Sequence, residues 1–522
     1  MESTNTCIII NEQEQYHLYQ QYQHESCLCH RAALINMEID RRLLLESQEN
    51  NNDNNSNLSL NYTAGNSRPN PNLARGANLR KTGDSIKEAI EARKYAQEIA
   101  RNNPKNPVTA IANACWENDP KIMRGDSLTA LAPFVYEKYG PVLSMLTFAN
   151  THCVDTSEGI VMIDCGTKFQ APRISKAAKD VLKKKLHTAI YTHGHIDHIG
   201  VNFMPEFKDD NYRVVAHENV VGRFDRYIKT NGYNTIINQR QFQLPKESYQ
   251  FQNEFRYPDL TYSDYLRFDV GEETFELFHG KGETNDATII WMPKHRYCFV
   301  GDFFIWNAPN AGNPQKVQRF PEEWAEAAAK ILSLNPKIVF AGHGPPIIGE
   351  ERVQEAFSNQ KKLLDEICQH ALNGMNAGKS LGEIMRTTPI NKSLISKPYL
   401  QPKYDDPRWF VATLWRRYAG WYTFDVRHLL PVDASDVGTE LAKLVGSAEK
   451  LAKHAEKIMT EGGDEKLGIA LEIAEYAAAA AGASTETHLI RSKILRAMEK
   501  RETTLMASSI YRAAAQDSEA KL

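Results

Sequence analysis

The chain has 522 residues, with 62 basic and 65 acidic side chains and a formal net charge of -3, so it exerts no strong electrostatic pull on nucleic acid. Its length suits two to four domains with a large buried core. No run of apolar residues reaches the length of about 18 that a membrane-spanning helix requires.

Residues 1–84 hold long polar tracts and an Asn-rich segment too poor in apolar side chains to repay the entropy of ordering, so this stretch is expected to be disordered. The N-terminus lacks the basic and apolar regions of a secretory signal. Without such a signal, the N-x-S/T sequons at Asn54, Asn57 and Asn61 carry little meaning. Cys27, Cys29 and His30 hint at a metal knuckle, but no second cysteine pair follows at zinc-ribbon spacing. The eight cysteines therefore read as free thiols of a reducing compartment, which points to the cytoplasm. At the other end Ala520, Lys521 and Leu522 resemble the Ser-Lys-Leu peroxisomal address.

A capping-box pattern at Ser85 to Glu88 opens a helix running to about Arg101. From about Pro133, short apolar runs at 142–148, 151–155 and 159–164 read as strands, followed by a helix over 173–184 and a buried strand over 186–191. A further strand is expected at 214–216. Residues 221–243 are polar and aromatic without clear periodicity, which suggests a substrate-covering loop. Strands resume at 275–278, 287–292, 297–300 and 337–341, and beyond Ile348 the pattern turns helical. Residues 439–522 supply about three more helices. One of them carries Ala448, Leu451, Ala452, Ala455, Ile458 and Met459 on one apolar face, for core or for a subunit interface.

Directly after the strand at 186–191 come Thr192, His193, Gly194, His195, Ile196, Asp197 and His198. His193 and His195, with Gly194 between them, can converge on one cation, while Asp197 and His198, at the start of whatever helix follows, can face a second. This stretch resembles the HxHxDH signature of the metallo-β-lactamase fold, an αββα sandwich whose members are mostly binuclear metal hydrolases. Asp164, in Met-Ile-Asp-Cys-Gly, is similar to the Asp-x-Gly that this fold places beneath its metals.

Where that fold usually has a Gly-His-Thr turn, this chain has Gly282-Glu283-Thr284, with His279 four positions earlier as the alternative ligand. The Glu and its spacing of 19 residues to Asp302 resemble the alkylsulfatase branch, and Arg417 to Trp421 in Arg-Tyr-Ala-Gly-Trp resembles a stretch of the alkylsulfatase dimerisation domain. The resemblance implies an α+β protein with an N-terminal helix and an αββα domain over 85–352, then an all-α dimerisation domain over 353–522. It also implies two Zn2+ per chain, with His193, His195 and Glu283 on one and Asp197, His198 and His343 on the other. Asp302 and a hydroxide would lie between the two.

On this reading Asp197 and Asp302 are the candidate catalytic carboxylates, Arg319, Arg240 and Asn234 the candidate substrate contacts, and the protein a homodimer hydrolysing sulfate esters of hydrophobic alcohols. Two rivals stand beside it: the same fold acting on a thioester or lactone, and a non-catalytic dimeric scaffold.

Overall fold

The computed structural model describes residues 79–123, 132–244 and 246–522. The Asn-rich tract as far as residue 78, its sequons and the Cys27, Cys29, His30 cluster lie outside the described residues. Helix α1 (Leu79–Asn102) begins before Ser85, so the capping-box pattern falls inside a helix and not at its start. Helix α2 (Pro107–Trp116) follows, with proline at its first position, where no backbone donor is lost.

Seven strands then form one sheet in sequence order: β1 (Val135–Tyr139), β2 (Val142–Leu146), β3 (Thr151–Thr156), β4 (Gly159–Ile163), β5 (Leu186–Ile190), β6 (Arg213–His217) and β7 (Leu260–Tyr262). The first four run antiparallel, and β4 to β7 run parallel. Gly140, at φ 56°, provides the left-handed position that the tight β1–β2 turn needs. The second sheet runs β13-β12-β11-β10-β9-β8 and comprises β8 (Tyr265–Val270), β9 (Glu273–Gly280), β10 (Ala287–Met292), β11 (Tyr297–Gly301), β12 (Ile338–Ala341) and β13 (Ile347–Ile348).

The period-two alternation of the strands builds the layers. Val161 and Ile163 point between the sheets toward Phe275, Leu277, Phe299 and Phe340. Their neighbours Ile160 and Met162 point the other way, onto Ile174, Ala178 and Leu182 of α3 (Ala171–Leu182). On the far side Trp291, Val300 and Val339 meet Trp324 and Ile331 of α6 (Pro321–Leu334) and Val353 and Phe357 of α7 (Glu350–Asn376). Helix, sheet, sheet and helix thus stack as an αββα sandwich. α7 completes its fourth layer, although the sequence reading groups this helix with the C-terminal domain.

Two local expectations are corrected. Residues 219–242 form helices α4 (Asn219–Lys229) and α5 (Asn231–Phe242), not a loop. α5 turns the amides Asn234, Asn238 and Gln241 inward, so it has no hydrophobic period to read. After His198 the chain enters 3-10 turns at Gly200–Phe203 and Pro205–Phe207 and not an α-helix. Pro205 prevents regular continuation, and a β-carbon on Gly200 would lie 2.7 Å from the Gly166 carbonyl oxygen.

The C-terminal region is helical: α8 (Phe410–Tyr418), α9 (Ala434–Val445), α10 (Ala448–Ala479), α11 (Thr485–Arg501) and α12 (Leu505–Glu519). α10 is broken at Gly463 (φ 57°, ψ -155°). Its face bearing Leu451, Ala452 and Ala455 packs on Ala470, Ala474, Ile490 and Ile494, so these residues are core. Among the described residues no helix is long and apolar enough to cross a membrane.

Candidate metal centre

The parallel strands β4, β5 and β6 of the first sheet, and β11 and β12 of the second, deliver their C-terminal ends to one place. The loop after β5 carries His193, His195, Asp197 and His198. Asp302 follows β11, His343 follows β12, and Glu283 lies in the turn between β9 and β10. His193 Nε2 is 3.6 Å from Asp302 Oδ2, and His198 Nε2 is 3.3 Å from Asp302 Oδ1. His343 Nε2 lies 3.5 Å from Asp197 Oδ2 and 3.4 Å from Asp302 Oδ1, and His195 Nδ1 lies 4.0 Å from Glu283 Oε1. The structure therefore brings all seven expected ligand positions together. Glu283, the preferred ligand, stands at this cluster, whereas the alternative, His279, stacks on His217 at 3.8 Å and bonds the Asn285 carbonyl.

These residues suit cations. Donor atoms of Asp197, His198 and His343 lie within 4.8 Å of one another, as do those of His195, Glu283 and Asp302, and those of His193, His198 and Asp302. His198 Nε2 and Asp302 Oδ1 are buried yet have no hydrogen-bond partner, which is costly unless something else satisfies them. His198 Nδ1 bonds Asp164 Oδ2 at 2.8 Å, and His343 Nδ1 bonds the Phe148 carbonyl at 2.5 Å. Each contact fixes the ring so that Nε2 faces the centre.

The electrostatics agree. Burial alone would lower the His198 imidazole, yet Asp164, Asp302 and Asp197 raise it to about 10. Asp302 would be raised by burial, but His343, His198 and His193 hold it well below the usual carboxylate range. Burial pushes Glu283 up to about 8 despite the nearby Arg319 guanidinium. For His193, burial and the neighbouring His198 bring the ring down to about 3, so it presents a lone pair. A field that holds a proton on His198 also favours a divalent cation in its place.

The supporting residues divide into those visible in sequence and those not. Asp164, at φ 54°, accepts from the Thr192 amide and hydroxyl at 2.8 Å each as well as bonding His198, so it orients the whole loop. Sequence reasoning missed Asp286, Arg223 and Asn310. Asp286 Oδ2 accepts from Arg223 Nε at 2.7 Å and from the Gly194 amide at 3.1 Å. Burial would raise this carboxyl, but Arg223 brings it to about 2. Asn310 Nδ2 donates to Glu283 Oε1 at 2.6 Å. The only local signal for any of these was Asp286, three residues after Glu283.

The expected substrate contacts separate. Arg319 is buried, and its Nη1 lies 2.9 Å from Glu283 Oε1 and also donates to the Glu283 carbonyl. It nevertheless lines a cavity of about 320 Å3 that opens on Asp197, Asp302 and His343. Asn234 lines the same cavity. Arg240 does not reach it: it faces the opposite side of α5 and pairs with Asp517 of α12 at 2.7 Å, close to half exposed.

Comparison with known proteins agrees with this geometry. Residues 146–343 match the metallo-beta-lactamase superfamily and residues 380–521 the alkyl sulfatase dimerisation family. The chain is 23% identical over 323 residues to a linear primary-alkylsulfatase of Pseudomonas sp., covering 57% of this chain and 61% of that one. To an (R)-specific secondary-alkylsulfatase of Pseudomonas sp. it is 23% identical over 397 residues, covering 69% and 58%. It thus spans about three fifths of the length of these curated relatives. Among solved structures, the stereoselective inverting sec-alkylsulfatase of Pseudomonas sp. shares the fold, with a TM-score of 0.68 at 16% identity over 83% of this chain and 78% of that one. Residues 146–343 thus match the metallo-beta-lactamase superfamily in both sequence and sandwich fold, residues 380–521 match the alkyl sulfatase dimerisation family, and the chain as a whole resembles the alkylsulfatases.

Proposed function

We propose that this protein is a metal-dependent hydrolase of sulfate esters. The observation that carries the reading is the convergence of four imidazoles and three carboxylates on one buried point, with His198 Nε2 and Asp302 Oδ1 left for a ligand outside the protein. His193, His195 and Glu283 would hold one cation and Asp197, His198 and His343 the other, with Asp302 shared between them. Zinc fits this mixture of nitrogen and oxygen donors. When bound, such a pair lowers the pKa of water toward neutrality and polarises the ester.

The chain's own residues contribute orientation and charge. Asp164 and the Phe148 carbonyl set the faces of His198 and His343, and Arg319 with Asn310 holds Glu283. The Arg319 guanidinium at the cavity wall is a forked donor suited to sulfate oxygens. Hydrolysis consumes one water and yields an alcohol and hydrogen sulfate.

A homodimer is part of the same reading. Trp421, Phe424, Val426, Leu429, Leu430 and Val432 form an exposed apolar run within the dimerisation region, and such a run calls for a covering surface. Light scattering coupled to gel filtration should give twice the 59.2 kDa chain mass.

Sulfate release from dodecyl sulfate, set beside turnover of thioester and lactone substrates, tests the chemistry. The expected result is sulfate release that chelation abolishes and zinc restores. Thioester or lactone turnover without sulfate release would overturn it.

A further inference from the structure

The cavity beside the metal centre has apolar lining, with Phe148, Phe242, Phe251 and Val317 suited to an alkyl tail, but it also carries positive charge that such a tail does not call for. Arg226 of α4, Lys316 of the β11–α6 connection and Arg416 of α8 all line it. None of the three has a carboxylate at ion-pair distance among the described residues. In this they differ from Arg223 and Arg319 on the same wall, which are paired with Asp286 and Glu283. The Arg416 guanidinium reaches the Lys316 carbonyl at 3.5 Å, so α8 and the connection meet at this wall. Asn238, Gln241 and Tyr404 line the same cavity; Gln241 Nε2 donates to the Tyr404 hydroxyl at 3.4 Å and Asn238 Nδ2 to the Asn234 carbonyl at 2.7 Å, and each amide keeps a second N–H.

Three cations with no paired carboxylate among the described residues, lining one cavity, repel one another and gain from a bound negative charge. Their cost shows in Lys316, whose ammonium is pushed down to about 7 by burial and then by Arg319. Arg416 and Arg226 are lowered by burial as well. A sulfate monoester brings a single negative charge, which cations held by the seven-residue centre, together with Arg319, would receive. The unpaired cations are left for something else.

Resting on the sulfatase reading above, we infer that the substrate carries a second anionic group, a carboxylate or a further sulfate, which the Arg226, Lys316 and Arg416 wall binds while the ester lies at the metal centre. The substrate class is then a sulfated acid or disulfate and not a simple alkyl sulfate. The C-terminal region takes part in selecting it through Arg416 and Tyr404.

The test compares a linear alkyl sulfate with the ω-carboxyalkyl sulfate of the same chain length, in wild type and in Lys316→Met and Arg416→Met. Calorimetric binding of the corresponding sulfonates, which are not hydrolysed, runs beside it. The wild type is expected to favour the carboxylated ester at least tenfold in kcat/KM, mainly through KM, and the carboxylated sulfonate by a similar factor in affinity. Each Met variant should bring both ratios toward unity, and Lys316→Arg should retain them. Equal handling of the two ligands by the wild type would overturn the inference, as would a preference that survives both Met variants. If neither ester turns over but the tenfold binding preference holds, the anion wall stands and the sulfatase reading falls.

Discussion

Removing Asp286 exposes how much of the metal loop depends on a residue that never touches the centre. In Asp286→Leu, the Arg223 guanidinium, 4% exposed at its side chain, keeps its charge but loses its carboxylate, and the Gly194 amide loses its acceptor. Leaving one buried charge uncompensated costs about 3–5 kcal/mol. An orphaned amide adds on the order of 1–3 kcal/mol, and the two losses overlap because one carboxylate serves both groups. For a unit of ~150–250 residues, each kcal/mol moves Tm by about 2–4 °C, so the first thermal transition should fall by roughly 6–20 °C. The double variant Asp286→Leu with Arg223→Met removes the stranded charge and should recover most of that loss. Scanning calorimetry of wild type, both single variants and the double variant reads the cycle. A drop below about 1 kcal/mol for Asp286→Leu, or a double variant no more stable than that single one, would refute the reasoning.

Asp164→Asn keeps the shape but weakens the bond that orients His198, so metal affinity in a chelator competition should fall about 10–100-fold; an unchanged affinity would mean the contact is idle. Replacing Glu283 with His should preserve some zinc binding but lower sulfate release, because Arg319 and Asn310 then lose their carboxylate partner; full activity would show that the carboxylate is dispensable. Arg240→Ala should leave kcat/KM within about twofold and stability within about 1 kcal/mol, since its pair with Asp517 is exposed; a large loss of turnover would restore it as a substrate contact. Lys316 is charged below its depressed value and neutral above it. KM for the carboxylated ester should therefore rise as pH passes through about 7, and a flat KM across that range would remove Lys316 from the anion wall.

Much of the site is legible in the sequence because metal ligands must cluster at strand ends. A strand followed by His193 to His198 leaves little freedom, Asp302 and His343 each stand at the close of an apolar run, and Glu283 sits in a Gly-Glu-Thr turn after an alternating strand. The period-two strands that build the sandwich were likewise readable, since Ile160 to Ile163 alternate between two buried faces. What escaped was held by polar contacts with no period. α5 buries amides, so its helix looked like a loop. Arg223 and Asp286 meet across 63 residues, and the tie from Asn310 to Glu283 spans 27, distances over which one sequence carries no pairing signal. Arg240 and Arg319 could not be told apart by composition, and only the orientation of α5 separates them.

Metal content of the full chain, measured after gel filtration in chelator-free buffer with zinc supplied during expression, addresses the seven-residue centre most directly. The account expects about two divalent ions per chain in the wild type and a clear loss in Asp302→Ala, the carboxylate shared between both positions. Fewer than one ion per wild-type chain, or a wild-type value retained in Asp302→Ala, would contradict it.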